Sequence, residues 1–151
     1  MSEFEKLLGS YQARVNQKLE VLLPPDDSIL TSAMRYSVLN GGKRLRPILA
    51  YLTAELNDTE AEYMDTLASS LELIHCYSLI HDDLPAMDDD ELRRGNPTTH
   101  KKFDEATAIL AGDALQPFAF ELISTIKTTD RNIVQMISSL SEACGYLGMV
   151  G

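Results

Sequence analysis

Leu73 to His100 reads LIHCYSLIHDDLPAMDDDELRRGNPTTH, and the change of character inside it decides the fold. Its first part continues a stripe begun by Met64, Leu67, Leu71 and Ile74, which is helical spacing and predicts a helix to about Asp83. Pro85 cannot donate to the carbonyl four residues back and disfavours a helical Leu84, so the helix ends or distorts there. Six acids follow within ten positions (Asp82, Asp83, Asp88, Asp89, Asp90, Glu91), and then Arg93 and Arg94. Carboxylates this dense repel one another unless a cation sits among them. Hard oxygen ligands without a thiolate or imidazole array suit Mg²⁺, which keeps waters and shares its remaining positions with substrate phosphates. Two arginines beside them offer planar, bidentate donors for phosphate oxygens. The same run also fits an ordinary solvated acidic loop.

Upstream, Gly41 to Pro47 reads GGKRLRP, three cations behind a glycine pair. Glycines permit a turn with positive φ and commonly sit just past a helix end. Lys43, Arg44 and Arg46 then open the next helical pattern, where free backbone N–H groups favour an anion. By itself this stretch also reads as a helix boundary with exposed basic residues. Taken together, an acid cluster suited to metal and basic sites suited to phosphate describe one kind of ligand, a diphosphate held through metal ions.

The rest of the chain is helical in pattern, which makes the fold class all-α with about six helices. Phe4, Leu8, Tyr11, Val15, Leu19 and Leu22 form the first apolar stripe. The Pro24–Ser28 segment breaks it and caps a second helix from about Ser28 to Leu39. Leu45, Ile48, Leu49, Leu52 and Leu56 form the third, which Asn57-Asp58 ends. After the acidic stretch, Gly95-Asn96-Pro97 marks a loop. A fifth helix is expected over about Asp104 to Ile126 with a kink at Pro117, and a sixth from Thr129-Asp130 still running at Tyr146. No strand is expected.

Composition narrows the classes of function. A chain of 151 residues with 44% hydrophobic residues makes one domain with a real core. The two cysteines, Cys76 and Cys144, form no CxxC pair, which argues against a disulfide scaffold and fits a reducing, cytoplasmic setting. Met1 to Glu20 holds no apolar leader, and no apolar run approaches the roughly 20 residues of a bilayer span. A net charge of −10 argues against nucleic acid as partner.

GGKRLRP followed by the Leu73–His100 stretch resembles the trans-isoprenyl diphosphate synthases, or polyprenyl synthetases. Asp82-Asp83, four residues, then Asp88 matches the first aspartate-rich motif of that family in its bacterial and plant form, nearest to the short-chain bacterial members that make farnesyl diphosphate. The resemblance runs from about Ser28 to the last residue. It implies the N-terminal part of an isoprenoid-synthase-type helical bundle and condensation of isopentenyl diphosphate with an allylic diphosphate, dimethylallyl or geranyl. Ionisation, condensation and elimination follow in turn, assisted by Mg²⁺. It implies Asp82, Asp83 and Asp88 as metal ligands, Lys43, Arg46, His75 and Arg94 on isopentenyl diphosphate, and Arg93 on the allylic diphosphate. Tyr77, five residues before Asp82, and small Ser78 beside it would limit chain length; ordinary core packing accounts for Tyr77 equally well. Family members are usually dimers, so a homodimer is expected.

The resemblance also bears on extent. Members continue through a second acid motif, and no second acid cluster like Asp82–Glu91 follows here, so this chain is expected to be a truncated N-terminal portion, inactive alone. His81, Arg44 and His100 receive no role. Asp89, Asp90 and Glu91 stand behind the metal ligands or are simply exposed. Other readings are a geranylgeranyl diphosphate synthase, a non-catalytic subunit that binds a partner, and an HD-type phosphohydrolase built on His75, His81 and His100.

Overall fold

A computed structural model describes residues 2–57 and 61–151, with Ala61 and Glu62 described by their backbone alone. Each helix starts where the local chemistry can satisfy its free N–H groups. α1 (Glu3–Leu22) opens on a reciprocal capping box, in which Glu5 N donates to Ser2 Oγ and Ser2 N to the Glu5 carboxylate. It buries Tyr11, Val15 and Leu19, one per turn, and stops before Pro24. α2 (Ile29–Leu39) starts at Ser28, whose hydroxyl accepts from Thr31 N. α3 (Leu45–Leu56) carries Pro47 in its first turn, where the missing N–H removes no intrahelical bond. Asn57 closes α3; Asp58, the other half of the expected stop, lies outside the described residues.

α4 (Ala61–Asp82) is the axis of the molecule, packed against α1, α2, α3 and, most extensively, α6. At 22 residues it is about 33 Å long. It places Ala68, Leu73, Ile74, Cys76, Tyr77 and Ile80 in the core. A helix covered on several sides is apolar nearly all round rather than along one stripe. α5 (Thr99–Lys102) is a single turn, α6 (Glu105–Ser124) is capped by the Asp104 carboxylate on Thr107 N, and α7 (Asp130–Cys144) is capped by Thr129. α6 is unbroken through Pro117.

Four expectations change. The described residues hold seven helices, because Thr98 to Phe103 closes one extra turn before the Asp104 cap. A two-stranded ribbon is present: β1 (Leu92–Arg93) pairs antiparallel with β2 (Asn96–Pro97). Its two-residue turn holds Arg94 at φ 54° and Gly95 at φ 80°, the doubly positive turn that matches strand twist. The last helix ends at Cys144, where Gly145 turns extended, and does not reach Tyr146. Finally, α6 is long and apolar enough, by length and composition alone, to cross a membrane, contrary to the reading of the apolar runs. Its buried face (Ala108, Ala111, Leu115, Ala119, Ile123) belongs to the core against α2 and α4.

Candidate functional site

The GGKRLRP corner is built by backbone that ordinary residues avoid. Gly41 has φ 76°, Gly42 φ 126°, and Arg44 φ 51°. The left-handed Arg44 is held by what its side chain does inside. Nη1 meets Glu72 Oε1 at 2.7 Å, Nε donates to Asn16 Oδ1 at 2.8 Å, and Nη2 donates to the Val38 carbonyl at 2.7 Å. The guanidinium thus ties the corner to α1, α2 and α4. Both members of the ion pair are almost fully buried, with side chains 1% and 2% exposed. With Arg44 turned inward, Lys43 and Arg46 on either side are exposed, and among the described residues neither makes an ion pair or side-chain hydrogen bond.

At the C-terminal end of α4 the acidic loop folds back on the helix terminus. Asp88 N donates to the Asp82 carbonyl at 2.8 Å, and Asp89 N to the Leu84 carbonyl at 3.1 Å. Asp83 is buried, and Arg93 Nε lies 2.9 and 2.8 Å from its two carboxylate oxygens. Asp83 holds the Arg93 guanidinium still more firmly protonated than usual, with Asp90 adding a weaker attraction at 3.8 Å. The hairpin turn then sends Arg94 the opposite way. Its Nη1 donates to the Gly41 carbonyl, and a Cβ on Gly42 would lie 2.6 Å from its Cζ. Only a glycine at 42 leaves room for that guanidinium. The ribbon is fastened to α2 by Tyr36 Oη donating to the Pro97 carbonyl and by Asn96 Nδ2 to Asn40 Oδ1.

Two cavities result. One, of about 570 Å³, is lined by Lys43, Arg46, His75 and Arg94 over a floor of Arg44 and Glu72. Burial, and then the charge of Arg46, push the His75 pKa below its ordinary value, so the ring is held neutral in a site already rich in cations. The second, of about 590 Å³, is mainly apolar and runs from Asp82 past Ser78, His81 and Tyr77 to Met87 and Ile109. All four basic residues expected on one diphosphate share the first cavity. Arg93 does not line it and stays with Asp83. Tyr77 and Ser78 line the second.

Among the described residues, no three His, Cys, Asp or Glu side chains gather closely enough to hold an ion by themselves. Asp83 has both oxygens on Arg93, while Asp82 is half-buried at the mouth of the apolar cavity and Asp88 is exposed. The three histidines part company. His75 joins the basic cavity, the His81 ring reaches from α4 to the Ile109 carbonyl of α6, and His100 is buried beside Thr98. That separation removes the ground for a histidine metal centre of the HD type.

Sequence reading missed Arg44 and Glu72 as the frame of the basic corner, and Gly42 as the seat of Arg94. The Gly pair was a signal for the turn. Nothing local signals Glu72, which lies 28 positions from its partner.

A family model described as polyprenyl synthetase matches residues 27–149. The farnesyl diphosphate synthase of Haemophilus influenzae is 48% identical over 153 residues, covering 99% of this chain and 52% of that protein. The crystal structure of a geranyltransferase from Legionella pneumophila superposes with a TM-score of 0.92 at 45% identity, covering 97% of this chain and 53% of that one. An FPP/GFPP synthase from Zymomonas mobilis gives 0.93 at 43% identity, covering 97% and 55%. The chain spans about half the length of the curated relatives it matches.

Proposed function

Because this chain belongs to the polyprenyl synthetase family, we propose that it supplies the isopentenyl-binding and first metal-binding parts of a short-chain prenyltransferase. In that enzyme isopentenyl diphosphate condenses with an allylic diphosphate to give farnesyl diphosphate. The observation that carries this reading is the pair of cavities flanking one helix end. One is cationic and sized for a small ligand; the other is apolar and opens beside carboxylates.

In the basic cavity Lys43, Arg46 and Arg94 bind the diphosphate of the nucleophilic substrate. Neutral His75 donates a hydrogen bond without adding another repelling cation. Arg93 lies across the hairpin, where it meets the allylic diphosphate at the carboxylate end of α4. The apolar cavity receives the allylic chain and excludes water from the cation formed when its diphosphate leaves. Arg93 stabilises the charge growing on that leaving group.

Asp82 and Asp88 would hold Mg²⁺. Their hard carboxylates fit an ion that takes one or two protein ligands and fills its shell from water and phosphate. Such an ion neutralises charge on the departing diphosphate. Asp83 fits less directly, since it would first have to release Arg93. Action as a homodimer in the cytoplasm follows from the same family reading.

Calorimetric titration with an allylic diphosphate, with and without Mg²⁺, tests the assignment. Binding is expected to need the ion, and equal binding in both conditions would refute the metal bridge. Tyr77→Ala, in the longest protein the gene encodes, is expected to lengthen the product beyond fifteen carbons. An unchanged product by chromatography returns Tyr77 to core packing.

A further inference from the structure

Resting on that reading, we propose that His81 and Gly112 are a matched pair that sets the bore of the apolar cavity between Asp82 and Tyr77, and thereby selects between allylic primers of different length. The acidic motif leaves His81 without a role, yet its ring forms part of the cavity wall. Its position is set from three sides. Nε2 lies 3.1 Å from the Ile109 carbonyl oxygen of α6, which only accepts, so Nε2 carries a proton there. The ring stands edge-on to Tyr77, with centroids 5.9 Å apart and planes at 76°. On the third side is the missing side chain of Gly112, where a Cβ would fall 2.2 Å from His81 Nε2 and 2.6 Å from Cδ2.

Gly112 is therefore a seat cut into α6, in the middle of a helix where glycine costs about 1 kcal/mol relative to alanine. Real contacts need well over 3 Å, so any side chain at 112 drives the ring off α6, and the cavity is open space beside it. His81 is the i,i+4 neighbour of Tyr77, and with ring centroids 5.9 Å apart its ring stands about one turn nearer Asp82. A prenyl chain anchored by its diphosphate beside Asp82 meets this ring before it reaches Tyr77. A ten-carbon chain has to thread past the ring toward Tyr77, whereas a five-carbon chain need not.

The test measures kcat/KM for five- and ten-carbon allylic diphosphates, and product length, in the longest protein the gene encodes. Gly112→Ala is expected to lower the ten-to-five ratio by about tenfold or more, the scale on which apolar pockets discriminate added carbons. His81→Ala is expected to raise that ratio and extend the product. The double variant, with no ring to displace, is expected to recover the ratio lost in Gly112→Ala. Should Gly112→Ala fail to fold, recovery of folding in the double variant reports the contact, and the primer ratio of His81→Ala decides selectivity. A ratio unchanged in His81→Ala, or both primers falling together in every variant, would overturn the pair as a selector. A wild-type protein that condenses no diphosphates would instead overturn the prenyltransferase reading, and this inference with it.

Discussion

The basic corner and the acidic loop are built on the same plan but secured differently. Each draws one charged residue inward and leaves the others to solvent. In the corner Arg44 is sealed against Glu72 beneath three helices, and both are dry. In the loop Asp83 is buried but its partner Arg93 is about a third exposed. A dry pair cannot exchange for water, so breaking it strands a charge. A half-wet pair can open, because solvent or a ligand can replace the partner. The corner is thus a fixed frame for Lys43 and Arg46, whereas the loop holds an arginine that an incoming diphosphate can engage.

The largest expected effect tests the frame. Arg44→Ala or Glu72→Ala should destabilise the fold by about 3–5 kcal/mol in urea unfolding, the cost of leaving one buried charge unpaired. Arg44→Met with Glu72→Met should regain most of it. A loss in the single variants typical of surface pairs, about 1 kcal/mol or less, would break the contrast between the two regions.

The next effect sharpens it. In the longest protein the gene encodes, Arg46→Ala should raise KM for isopentenyl diphosphate by about 10- to 100-fold, the worth of a charged hydrogen bond, with a smaller change for the allylic substrate. Arg93→Ala should do the reverse. Steady-state kinetics with each substrate varied in turn decides this, and equal effects on both would mean the two arginines serve one pocket.

The smallest effect is a titration. The His75 pKa lies below the ordinary 6.5 because burial and the Arg46 charge disfavour the imidazolium. The unfolded chain therefore takes up this proton first. The contribution of His75 to stability is present above pH 6.5, declines as pH falls through the interval down to the folded pKa, and levels off below it. NMR titration of the ring should show the depressed pKa, and saturating inorganic diphosphate should raise it. A ring that titrates at or above its ordinary value without the anion would show that the cavity does not exclude the charge.

Much of this architecture is legible in residue order. Ser2 with Glu5, Ser28 with Thr31, and Asp104 with Thr107 announce helix starts through bonds three residues long. Apolar spacing located six of the seven helices described. The ribbon was missed because its turn uses Arg94-Gly95 where Asn-Gly is the usual signal, and Arg94 accepts a left-handed backbone to face Gly42. The extra turn Thr99–Lys102 is too short to show a period.

Order along the chain also grouped Lys43, Arg46, His75 and Arg94 by family resemblance, and the fold brings those four to one cavity. It carried no sign that Arg44 would turn in while its neighbours turned out, that Asp83 would give both oxygens to Arg93, or that His81 would rest on Gly112. The physical reason is range. Caps, periodicity and turns depend on neighbours a few residues away, so composition and spacing encode them. The pairings 44 with 72, 94 with 41, and 81 with 112 join residues 28 or more positions apart. They exist only once α4 has packed against α3 and α6 and has set which side chains meet.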